Sequence, residues 1–160
     1  MVRESDDTVK PESTGTELPP LLGVLLSTPF RVLDEHVHRA LQQAGYTDIR
    51  PAHHVVFRLT GSGGARLVDL VEQARITKQS MNYLVDHLEA AGYLARLPDP
   101  GDRRGKRVEL TPRGREVEKV ARAAILQLQE EWARQLGPQD FGQLLTLLRR
   151  LYHHLQQGER

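Results

Sequence analysis

Residues 67–92 read LVDLVEQARITKQSMNYLVDHLEAAG, and their spacing decides the fold. Leu67, Leu70, Val71 and Ala74 recur by threes and fours, the period of one helix face, so 67–74 predicts a helix of two turns. Arg75-Ile76 then turns the chain, and Thr77 stands where a hydroxyl can accept from a backbone N–H of the next turn, as an N-cap does. From 78 to 91 a second face is built from Met81, Leu84, Val85, Leu88 and Ala91, and Gly92 follows where the helix must end. Two helices joined by a tight turn predict a helix-turn-helix.

Working outward, 93–97 and 107–111 read as short strands, with Val108 and Leu110 alternating against Arg107 and Glu109. The segment 98–106 between them is rich in turn formers and charge, which predicts a hairpin with a long basic loop. On the N-terminal side, Pro51 opens a helix through Val55, Val56 and Leu59 that stops at Gly61-Ser62-Gly63-Gly64. Before it, Thr28 and Pro29 stand in the order of an N-cap and a first-turn proline, predicting a helix over 29–44 with Phe30, Leu33, Val37, Ala40 and Leu41 on one face. On the C-terminal side a long helix is expected over 113–136, striped by Val117, Val120, Ala121, Ala124, Leu128 and Trp132. Gly137-Pro138 breaks it before a last helix to about residue 156. That last helix carries Phe141, Leu144, Leu145, Leu148, Leu151, Tyr152 and Leu155, an apolar stripe wider than a solvated single helix needs, so something must cover it.

The chain is 160 residues long, enough for one compact domain. Lys and Arg number 22 against 21 Asp and Glu, so net charge names no partner, but the distribution does. Residues 1–19 carry a net charge of −3, lack periodicity and are rich in Ser, Thr, Pro and acid, the composition of a disordered tail. The remainder is +4, and the segment 93–115 alone also reaches +4. With no cysteine there is no disulfide, thiolate nucleophile or thiol-based peroxide sensor. The apolar run 18–26 is far short of the ~20 residues that a membrane span needs, and acid rather than base precedes it, so a cytoplasmic protein is expected.

Opposite its core face, the helix from Lys78 presents Lys78, Gln79, Asn82, Tyr83 and Asp86, with Thr77 and Ser80 at the leading end. Gln and Asn can pair bidentately with adenine in a DNA major groove, Lys can reach guanine or phosphate, and hydroxyls serve either. The hairpin adds Asp102, Arg103, Arg104, Lys106 and Arg107, and an arginine at a hairpin tip suits a narrow minor groove, with Asp102 placed to orient Arg104. A polar helix face and a charged loop are each common on surfaces that bind nothing. Their conjunction is more specific.

Taken together, the run 76–89, Gly92-Tyr93-Leu94, the wing pattern Asp102-x-Arg104 and Val108-x-Leu110-Thr111-x-x-Gly114 resemble the MarR family of winged-helix regulators over about 25–155. The resemblance implies a mainly α fold with a small β-hairpin. In it, 50–112 forms a winged helix-turn-helix, 20–45 and 113–157 supply dimerisation helices, and the whole span 20–160 is a single domain. It further implies a homodimer that binds double-stranded DNA at a palindromic operator, with the helix from Lys78 in the major groove and Arg104 in the minor groove. A repressor released by a small-molecule effector is the expected function, with anionic aromatic or lipophilic compounds as the effector class. His53, His54 and Arg58 lie on the helix that lines the effector crevice in that family. The alternative is a winged-helix protein-interaction module that does not read DNA sequence.

Other chemistries find little support. His36-Val37-His38, His53-His54 and His153-His154 invite a zinc reading, but neighbouring helical residues point apart and a zinc site needs convergent ligands. Gly61-Ser62-Gly63-Gly64 lacks the lysine and spacing of a phosphate loop, and no Gly-x-Ser-x-Gly occurs, so neither a cofactor nor an enzyme is expected. Trp132 and Tyr152 read as core or dimer-interface aromatics.

Overall fold

The computed structural model describes residues 21–61, 63–99 and 101–158; the acidic stretch at 1–19 and the side chains of Asp102, Arg103 and Arg104 lie outside that description. Among the described residues, six helices and a three-stranded sheet follow in chain order. They are α1 (Leu22–Gln43), α2 (Pro51–Thr60), β1 (Ala65–Arg66), α3 (Leu67–Ala74), α4 (Lys78–Ala90), β2 (Leu94–Asp99), β3 (Asp102–Leu110), α5 (Pro112–Leu136) and α6 (Pro138–Gly158).

The core of the helix-turn-helix is local and dry. Ile49, Val56, Leu70, Met81, Val85, Leu88, Tyr93 and Val108 are fully buried, so α2, α3, α4 and the sheet close around one cluster. Arg75 turns the chain between α3 and α4 in the left-handed conformation, with φ 53°. Thr77 then caps α4 by accepting from the Ser80 amide at 3.1 Å. A second threonine cap joins the sheet to the helices. Thr111 accepts from the Gly114 amide at 3.1 Å, donates its hydroxyl to the Gly92 carbonyl at 2.6 Å, and so seats the start of α5 against the end of α4. A Cβ on Gly114 would fall 2.1 Å from the Tyr93 carbonyl oxygen, which explains a glycine there.

Three expectations are corrected. The first helix begins at Leu22 rather than at Pro29, which lies inside it. Leu22, Leu26, Phe30, Leu33, Val37 and Leu41 keep the helical spacing straight through the proline, and this continuity outweighs the one donor that the ring removes. The hairpin has long strands and a short tip: β2 pairs with β3 from Leu94 opposite Leu110 to Asp99 opposite Asp102, with an irregularity at Pro98/Asp99. β2 is an edge strand in the order β1-β3-β2, where a proline is tolerated because no neighbour needs its N–H. Finally, the short β1 was not foreseen. It places Ala65 opposite Val108 and Arg66 opposite Arg107, just after Gly64, where φ is 73° and a Cβ would meet Glu109 Cγ at 2.7 Å.

The helices outside this unit are thinly covered. α1 packs along α5, and α6 packs against α5, burying Phe141 and half-burying Leu145. Leu21, Leu22, Val24, Leu25 and Leu26 are exposed at the start of α1, as are Leu144, Leu147, Leu148, Leu151, Tyr152 and Leu155 on α6.

Candidate nucleic-acid interface and effector cavity

The capped start of α4 and the hairpin form one edge of the molecule. Thr77, Lys78, Gln79, Ser80 and Tyr83 are exposed there, Tyr83 at 65%. Thr77 and Ser80 also share a hydroxyl–hydroxyl hydrogen bond of 2.8 Å, so their oxygens are spent partly on the cap itself. Asn82 differs from Gln79. Its Nδ2 donates to the Lys78 carbonyl at 2.9 Å and its Oδ1 lies 3.5 Å from Arg96 Nη2, so its amide is engaged within the protein. Arg96 ties β2 to the flank of α4 through Asp86 at 2.6 Å and through Glu89, and Glu89 also accepts from the Arg96 amide at 3.1 Å. The hairpin is therefore braced against the helix by ion pairs as well as by its core residues.

The basic residues of the hairpin divide in the same way. Lys106 is exposed and, with Lys78 and Arg66, lines a depression of about 430 Å³ between α3, α4 and the hairpin. Arg107 instead turns its guanidinium onto β1, reaching the Gly63 carbonyl, the Gly64 carbonyl at 3.2 Å and Glu109 at 3.2 Å. Asp102, Arg103 and Arg104 belong to β3 by backbone, and their side chains fall outside the description. Arg66 holds Asp69 through two hydrogen bonds of 2.8 and 2.9 Å, which keep that carboxyl below its ordinary pKa.

A cavity of about 300 Å³ lies between α1, α2 and α5. Its wall is apolar, with Phe30, Leu33, Val37 and Leu41 from α1, Phe57 from α2, and Val117, Ala121 and Ile125 from α5. Asp34, His54, Arg58, Glu118 and Arg122 supply its polar groups. His54 Nδ1 lies 2.8 Å from Asp34 Oδ1, and the Arg58 guanidinium sits 5.1 Å from the centre of the Phe30 ring. His53, expected alongside them, is not in this wall: one position along a helix rotates the side chain by roughly 100°. It is buried on the opposite face, stacked on His87 of α4 with ring centres 4.6 Å apart, and its Nδ1 accepts from the Arg50 amide at 3.0 Å. Burial above all, and then the neighbouring positive charge of His87 and Arg50, lower its pKa to about 4. Nothing in the sequence separates His53 from His54 except their places on the helix. Among the described residues no three His, Asp or Glu side chains converge as metal ligands, and no helix is long and apolar enough to cross a membrane.

A model of the MarR family matches residues 44–105, which span α2 to the hairpin. The transcriptional repressor Rv2887 of Mycobacterium tuberculosis is 35% identical over 104 residues, covering 65% of this chain and 73% of the relative. The crystal structure of that repressor with salicylic acid superimposes with a TM-score of 0.61 at 29% identity, covering 83% of this chain and 97% of the other. Ligand-free MarR of E. coli aligns with a TM-score of 0.67 at 25% identity, over 84% of this chain and 98% of that one. The helix-turn-helix, the braced hairpin and these likenesses agree: the chain belongs to the MarR family and is a winged-helix, DNA-binding transcriptional regulator, not an enzyme.

Proposed function

We propose that the protein is a homodimeric repressor that binds a palindromic operator and is released when a small molecule occupies the cavity between α1, α2 and α5. The observation that carries this is the exposed, capped start of α4, where Lys78, Gln79 and Ser80 stand beside Lys106 of the hairpin. A helix of this shape fits the major groove while the hairpin reaches the adjacent minor groove, Arg104 leading. Gln79 is the base-reading residue of this proposal, and Lys78, Lys106, Arg103 and Arg104 supply charge for phosphates. Dimerisation rests on the uncovered leucines of α1 and α6, and two-fold symmetry then asks for half-sites about one helical turn, ~10 bp, apart. The effector reading is supported by the apolar cavity with few polar groups, and by the salicylic acid held by the related repressor.

Fluorescence anisotropy with DNA from immediately upstream of the protein's own gene tests the reading. Saturable binding that exceeds binding to random duplex is expected, with footprinting that protects two related half-sites. Absence of any preference for such DNA would favour the interaction-module alternative, in which the hairpin only solvates the domain.

A further inference from the structure

We infer that Arg96 is a positioning residue for DNA recognition: it locks the hairpin to α4 through Asp86 and Glu89, so that helix and wing meet the duplex as one rigid reader. The inference rests on the docking of α4 and the hairpin proposed above, and it assigns Asp86 to the wing rather than to DNA.

An acid on a helix that enters a major groove is out of place, since phosphates surround it. Asp86 is such an acid, and its side chain is 65% exposed on the polar side of α4. Asn82, Asp86 and Glu89 stand at i, i+4 and i+7, a stripe along one side of the helix, and all three converge on Arg96 of β2. The guanidinium lies 2.6 Å from Asp86 and 3.5 Å from Asn82 Oδ1. It also pairs with Glu89, which accepts from the Arg96 amide at 3.1 Å. β2 is an edge strand, so Glu89 supplies the acceptor that a further strand would. Arg96 itself is only 17% exposed.

The place of Arg96 gives these pairs leverage. It stands opposite Val108 at the root of the hairpin, where Leu94, Val108 and Leu110 are buried in the core. Farther out, Asp99, Gly105 and Lys106 face Lys78 of α4 across the depression of about 430 Å³, and Leu97 is exposed. The outer hairpin overhangs this opening, so its angle to α4 is set at the root. Apolar contacts there fix how deep the sheet sits but carry no direction, whereas the planar fork of an arginine between two carboxylates does. Among the described residues, these are the ion pairs that join hairpin and α4. A wing already held at its angle needs no ordering when DNA arrives, and preorganisation of that kind raises affinity.

Three variants of the full chain test this on the operator and on random duplex, by anisotropy and by footprinting with hydroxyl radical for the minor groove and dimethyl sulfate for the major groove. Arg96→Met keeps the aliphatic stem and should weaken operator binding about tenfold or more, with the wing's minor-groove protection lost and the major-groove protection by α4 kept. Asp86→Ala separates positioning from plain charge, because removing an acid from a DNA-facing helix by itself strengthens binding to every sequence. Positioning predicts the opposite sign on the operator: weaker binding, the same loss of minor-groove protection, and a melting temperature near the parent's, since an exposed ion pair adds little stability. Arg96→Lys should fall between parent and Arg96→Met, because an ammonium is a point charge without the fork. Tighter binding of Asp86→Ala to operator and random duplex alike, with the wing's protection intact, would overturn the inference and leave Asp86 a repelling charge. If Arg96→Met fails to fold, the sign of the Asp86→Ala effect still decides. If the parent itself prefers no duplex, the DNA docking falls and this inference with it.

Discussion

Gly114 and His53 show how much single atoms decide. A methyl group at Gly114 would press on the backbone oxygen of Tyr93 at 2.1 Å, and backbone cannot swing aside as a side chain can. Gly114→Ala is therefore expected to cost about 2–3 kcal/mol or more, read as a lower urea midpoint at unchanged slope. His53 makes a pH prediction. Its folded pKa of about 4 lies below the unfolded value of 6.5, so between these limits the unfolded chain binds the extra proton and stability falls as the solution is acidified. The full shift corresponds to at most ~3 kcal/mol, and the loss should be complete near pH 4. Burial of the ring is the first cause, and the geometry agrees with it, because the nitrogen that would take the proton already accepts from the Arg50 amide. His53→Asn keeps an acceptor without a titrating proton, so urea unfolding of that variant should lose the dependence specific to this pH window.

Within elements, residues of like charge separate by what their neighbours do with them. Arg104 and Arg107 lie on the same strand, but Arg107 is committed to Glu109 and the carbonyls of Gly63 and Gly64. Arg104→Ala should weaken binding to operator and random DNA alike and flatten the salt dependence by about one counterion. Arg107→Ala should leave that slope nearly unchanged and instead lower the melting temperature by loosening β1 from β3. On α4 the comparable contrast is between Gln79 and Asn82. Gln79→Ala should cost ~1–3 kcal/mol on the operator at constant non-specific affinity, because it removes base contacts without touching a phosphate. Anisotropy titrations at several salt concentrations on both duplexes distinguish these cases, and an unchanged slope for Arg104→Ala would count against the minor-groove placement. α3 was legible to the residue and α4 to within one, its last helical residue being Ala90 rather than Ala91, since the leucine spacing, Thr77 and Gly92 all act within a turn of the backbone they shape.

For the whole molecule, the question is what covers α1 and α6. Burying one leucine is worth about 1.5–3 kcal/mol, so Leu148, Leu151 and Leu155 together with Leu22 and Leu25 leave a large apolar face uncompensated in a single chain. Replacing Leu148 and Leu151 together by Asp should convert a dimer to a monomer in sedimentation velocity and abolish operator binding while the winged helix keeps its helical signal. A parent protein that sediments as a stable monomer at micromolar concentration would refute the assembly. Oxidation makes a second whole-molecule prediction. The sulfur atoms are confined to Met1 and Met81, and Met81 is fully buried, so mild peroxide should leave DNA affinity unchanged.

The sequence alone determined the helix-turn-helix, the hairpin that follows it, the threonine-led helix start at Thr77 and the family pattern across 76–114, because periodicity and capping are settled among residues a few positions apart. The tertiary structure decided the rest. The pairing of Ala65 with Val108, the hydrogen bonds of the Arg107 guanidinium to the Gly63 and Gly64 carbonyls, and the assignment of His54 to the cavity and His53 to the α4 contact all depend on partners distant in the chain. The start of α1 at Leu22 is a different case: the spacing Leu22, Leu26, Phe30, Leu33, Val37 and Leu41 stands in the sequence itself, and the local rule that a proline opens a helix concealed it. The distant contacts exist only after the chain has closed on itself, and no spacing along the sequence encodes which of two neighbouring side chains will find them.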